Sequence, residues 1–81
     1  MQEKRQRVEL SLQERVLHKL KKHFLLGAYV YNKENHLKVH VFQLVDKDLE
    51  FFKEIEGMYS TILIKRSGAG LIVILNFEQD S

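Results

Sequence analysis

Leu12, Val16, Leu17, Leu20 and Phe24 recur at the three- and four-residue spacing of one helical face. Arg15, His18, Lys19, Lys21 and Lys22 occupy the other face, with only Glu14 to offset them. The pattern predicts an amphipathic helix that packs on one side and is cationic on the other. Ser11 and Glu14 have the spacing of a capping box, in which the serine oxygen takes the amide of the third helical residue and the glutamate reaches back. Gly27 suits the left-handed residue that closes a helix, and Lys21, Lys22 and His23 suit its negative pole, so the helix is expected over about Leu12 to Leu26.

Beyond Gly27 the period shortens to two. AYVYN and HLKVHVFQLV are rich in β-branched and aromatic residues and flank Asn32-Lys33-Glu34-Asn35, which has turn composition. Strands are expected at about 28–32 and 36–45. Pairing Tyr31 with His36 and Tyr29 with Lys38 puts Ala28, Val30, Leu37, Val39 and Val41 on one face. Tyr29, Tyr31, His36, Lys38 and His40 then share the other, a composition that stacks bases and neutralises phosphate.

Asp46 to Gly57 (DKDLEFFKEIEG) fits two periods. As a helix it is capped by Asp46 and buries Leu49, Phe52 and Ile55; as a strand it alternates around Leu49 and Phe51. The remaining apolar run forms a second hairpin, with strands near 58–66 and 70–77 turning through Ser67-Gly68-Ala69-Gly70. Ile62, Ile64, Leu71, Val73 and Leu75 fall on one side of it and Leu63, Ile72 and Ile74 on the other. So small a chain has little material to cover both sides, which predicts pairing of strand edges between copies.

At 81 residues the chain makes one small domain. We expect a basic arm over 1–10, anchored at most by Val8 and Leu10, a single domain over 11–77 and an acidic tail over 78–81. With no cysteine, neither disulfides nor thiolate metal sites can staple the fold. Met1–Arg7 is charged with no apolar run behind it, and no stretch is long enough to span a bilayer, so a cytoplasmic protein is expected. The net charge of +2 is unevenly spread: residues 1–40 carry nine Lys/Arg against four Asp/Glu, residues 41–81 four against seven. A polyanion would meet the front half.

The four histidines lack a convergent carboxylate pair or thiol, so no metal or other cofactor is expected. Gly68-Ala69-Gly70 turns between strands, with no helix N-terminus to cradle phosphate. No serine sits in a nucleophile elbow, and the carboxylates from Asp46 to Glu56 read as a solvated face. The pattern points to binding, with no enzyme activity.

SLQERVLHKLKK, residues 11–22, resembles the opening helix of the bacterial Sm-like RNA chaperones, the Hfq family. The hairpin ending at Val45-Asp46 is similar to that family's first two strands, and Thr61–Arg66 with the following apolar strand is similar to its last two. The resemblance covers about residues 11–77. It implies a mainly β fold: an N-terminal α-helix on a strongly bent five-stranded antiparallel barrel, with residues 47–56 as strand three. It also implies subunits joined edge to edge into a ring, usually a homohexamer.

Carried over by position, Gln13, Lys65 and Arg66 match residues that line a pore-side site for uridine-rich RNA. Lys21 and Lys22 match a basic rim, joined by His18. Tyr29, Tyr31 and Lys38 fall on the opposite face, which takes purine-rich RNA. The implied function is an RNA chaperone and post-transcriptional regulator whose partner is single-stranded RNA. Two departures stand out: Val39-His40-Val41 where the family's second strand bends at a glycine, and Asp48 or Leu49 in place of a uracil-stacking phenylalanine. These motivate a second expectation, a ring serving mainly as a protein-interaction module. A third takes 47–56 as helix, giving an α-β-β-α-β-β dimer similar to roadblock-type adaptors.

Overall fold

The computed structural model describes residues 11–25 and 28–77. The basic arm, Leu26, Gly27 and the acidic tail lie outside the described residues, and with them the expected Gly27 cap and the anchors Val8 and Leu10. Helix α1 spans Leu12–His23. Its capping box forms as the spacing predicts: the Glu14 amide donates to Ser11 Oγ at 3.2 Å, and the Ser11 amide donates to Glu14 Oε1 at 3.2 Å. The helix ends three residues earlier than expected. Phe24 leaves helical geometry (φ −102°, ψ 69°) while its amide still donates to Leu20 O. Its ring instead packs against those of Phe51 and Phe52, with centroids 6.3 and 6.0 Å away.

Strands β1 (Ala28–Asn32) and β2 (His36–Val41) form the first hairpin. Its register pairs Tyr31 with Lys38 and Tyr29 with His40, two residues on from the sequence-based pairing. An even slip keeps every side chain on its expected face. The turn lies one residue later than its composition implies: Asn32↔Leu37 is the last pair, and the Lys33 amide donates to His36 O at 2.9 Å.

Helix α2 spans Asp46–Glu54 and is followed by a 3-10 turn, Glu56–Met58. The carboxylate of Asp48 accepts the Val45 amide at 3.0 Å, which starts the helix and stops β2 short of the expected residue 45. Phe52 and Ile55, three residues apart, are buried as the helical reading requires, but Leu49 stays 48% exposed. Strand three of the Sm-like pattern therefore does not form here. A strand would point Phe51 and Phe52 to opposite sides, whereas in α2 both rings meet Phe24.

Strands β3 (Thr61–Ser67) and β4 (Gly70–Asn76) complete a four-stranded antiparallel sheet in the order β1-β2-β4-β3. Among the described residues the expected five-stranded barrel is replaced by this open sheet. The succession α-β-β-α-β-β is that of the third expectation. The two-residue turn joining β3 to β4 begins at Gly68, whose φ of +58° is the left-handed region hairpin turns require.

One face of the sheet is covered. Leu37, Val39 and Val41 of β2 and Val73 and Leu75 of β4 pack with Val16 and Leu20 of α1 and with Phe52 and Ile55. The helical layer does not extend over β3, all seven residues of which are exposed. Among the described residues no helix is long and apolar enough to cross a membrane.

Candidate nucleic-acid interface

Strand alternation and the observed register decide which side chains share the uncovered face. Cross-strand partners align in rows. Tyr29 of β1 lies beside His40 of β2, then Ile72 of β4, then Lys65 of β3. The next row runs Tyr31, Lys38, Ile74, Leu63, and the third contains His36, Asn76 and Thr61. At about 4.8 Å between strands the first row is about 14 Å long, with a phenol at one end and an ammonium at the other. Tyr29 is 70% exposed. Tyr31 meets His40 edge to face at 5.2 Å and has Lys33 Nζ 5.7 Å from its ring centroid. The surface is an aromatic and basic field with apolar Ile72 and Ile74 between.

At one end of this face Tyr29 and His40 line a hollow of about 260 Å³ together with Phe42, Ser67, Ala69 and Gly70. Phe42, just past the end of β2, is 76% exposed. A side chain at position 70 would come within 2.5 Å of Val41 O, so glycine is required where the β3–β4 turn closes on the end of β2.

Tyr29, Tyr31 and Lys38, expected on one RNA-binding face, are brought together. So are Lys21, Lys22 and His18, which with Arg15 and Lys19 line a shallow cationic hollow on the outer side of α1. Val16 and Leu20 turn the opposite side of that helix into the core, so this surface faces away from the open sheet.

The expected pore-side trio is not brought together. Lys65 and Arg66 are adjacent in β3 and point to opposite faces, Lys65 to the open one. Gln13 is at the other end of the sheet, where its Nε2 faces Asn32 Oδ1 at 2.9 Å, Lys33 O at 2.7 Å and His36 O at 3.3 Å. Its amide closes the β1–β2 turn and fixes α1 to it.

Sequence reasoning missed Phe42, which the expected length of β2 placed inside a strand. It also missed the junction of the two helices. There His23 Nε2 lies 2.7 Å from Asp48 Oδ1, and the imidazole stacks on Phe51 at 4.2 Å. Asp48, read from the sequence as part of a solvated carboxylate face and as standing in the place of a stacking aromatic, is instead largely buried: it caps α2 with one oxygen and holds α1 with the other. Asp46, expected to cap α2, is its first residue; Val45 stands at the cap, where an apolar side chain gives no signal, and the Asp48 partner 25 residues away was not readable either. Comparison of the chain with family models, with curated proteins and with solved structures finds no match in any of the three.

Proposed function

We propose that this chain binds single-stranded RNA on the open face of its sheet and acts in post-transcriptional control. The observation that carries the proposal is the alignment of Tyr29, Tyr31 and His40 with Lys38 and Lys65 on a face that, among the described residues, no helix covers. Four-stranded antiparallel sheets with exposed aromatics take single strands in this way: unstacked bases lie on the rings while lysines neutralise phosphates. Such readout is tolerant of sequence because every base has a π-face. The cationic side of α1 is the encounter surface, raising the local concentration of RNA without specifying it.

The test is fluorescence anisotropy with short labelled A-rich and U-rich oligoribonucleotides across a salt series. Binding should weaken steeply between about 50 and 200 mM salt. Tyr31→Ala and Lys38→Ala should each reduce affinity. Replacing Lys21 and Lys22 by alanine should slow association and weaken the salt dependence of the association rate. Absence of binding at low salt would refute the proposal.

The element order supports a second reading, a dimeric adaptor that binds proteins. Wild-type protein that binds no RNA, yet captures a protein partner lost on mutating the same face, would favour it.

A further inference from the structure

We infer that β3 is a self-pairing edge, and that two copies join through it, antiparallel about a two-fold axis at Leu63, into one continuous eight-stranded sheet. Edge strands are normally blunted by proline, a bulge, inward charges or a covering helix. Among the described residues β3 has no proline, no bulge and no covering helix; it runs seven residues in unbroken register with β4, and its two charges, Lys65 and Arg66, sit toward one end and leave residues 61–64 uncharged. It is apolar on both sides, with Ile62 and Ile64 toward the helical layer and Leu63, half exposed, on the open face. The opposite edge is different. β1 is five residues long, α1 packs against it, and Asn32 at its end is held by Gln13.

Two arguments choose a second copy and its orientation. The outward N–H and C=O groups of an edge strand come from alternate residues, which all point to one face. Antiparallel pairing must bring outward residues opposite outward residues, so both helical layers fall on one side of the joined sheet and both open faces on the other. Among the registers this allows, only one matches side chains throughout. With Leu63 on the axis, Ile62 faces Ile64 of the second copy, Leu63 faces itself and Lys65 faces Thr61, with the two Lys65 residues about 14 Å apart along the strands. An axis at Ile62 sets Leu63 against Thr61 and Ile64 against Ser60, and an axis at Ile64 sets Leu63 against Lys65 and Ile62 against Arg66. An axis at Lys65 opposes two ammonium groups.

The pairing closes a cluster of four isoleucines between the two helical layers. On the other side it extends the row Tyr29, His40, Ile72, Lys65 into the second copy, so the inference goes beyond the RNA reading and does not depend on it.

The test is sedimentation or light scattering over a concentration series, without RNA. Wild type should approach twice the chain mass, and Ile64→Lys, which alters a side chain 43% exposed, should halve that mass with an unchanged circular-dichroism spectrum. Should that variant fail to fold, Leu63→Cys in this cysteine-free chain gives an independent measure: oxidation should cross-link it across the axis. A wild type that stays monomeric, an Ile64→Lys protein that keeps the doubled mass, or a Leu63→Cys protein that does not cross-link would each overturn the inference. RNA binding by a monomer would leave the functional proposal standing alone.

Discussion

Gln13 separates what family resemblance assigns from what the geometry assigns, because the two make opposite predictions for Gln13→Ala. As an RNA contact at a pore, its loss would cost affinity and leave stability alone. In the structure the side-chain nitrogen faces three acceptors on the β1–β2 turn, at 2.7 to 3.3 Å. An amide nitrogen has two hydrogens, so it makes two full bonds at a time. Each contributes about 0.5–1.5 kcal/mol net, and partly solvated ones sit at the low end, giving a total of about 1–2 kcal/mol. For a domain of this size that is a melting-point drop of about 4–16 °C. Thermal unfolding followed by circular dichroism reads this directly, and oligonucleotide affinity is measured on the same protein well below its transition. The expected result is a lower melting temperature with affinity unchanged within about twofold. Unchanged stability together with a tenfold loss of affinity would refute the assignment and return Gln13 to the RNA.

Phe42→Ala should weaken oligonucleotide binding by about 1–3 kcal/mol if a base stacks there, while unfolding shifts by less than about 0.5 kcal/mol because the ring is exposed; unchanged affinity removes Phe42 from the interface. Leu20→Ala opens a cavity beneath α1, where the side chain is fully buried, and should cost about 2–5 kcal/mol in urea unfolding; a loss under about 1 kcal/mol would mean that α1 does not pack as described. Burial first, and then the neighbouring Glu56 carboxylate, raise the Tyr59 hydroxyl above its ordinary value. The unfolded chain gives up this proton at lower pH than the folded chain, so the contribution is intact below about pH 10 and fades as pH rises through the folded value. Tyr59→Phe should flatten that part of the alkaline stability profile, and an identical profile would count against it.

What was legible in the sequence was what depends on few, nearby residues. The α1 cap needs only Ser11 and Glu14, and it forms as read. The faces of both hairpins were legible because parity survives an even slip: Tyr29, Tyr31 and Lys38 stay together although the register moved by two. The slip itself reflects a turn whose carbonyls are taken by Gln13, some twenty residues upstream. Residues 46–54 were not decidable locally, because one arrangement of Leu49, Phe51, Phe52 and Ile55 serves either period. Resemblance favoured a strand, and contacts from outside the segment favour a helix: Phe24 against Phe51 and Phe52, and His23 against Asp48. The failure of the Lys65–Arg66 pair is of another kind, since adjacent residues of a strand face apart whatever the fold, and alternation alone had separated them. That separation leaves Lys65 at the end of the row of Tyr29, His40 and Ile72, which is where the proposed reading, unlike the resemblance, calls for a cation.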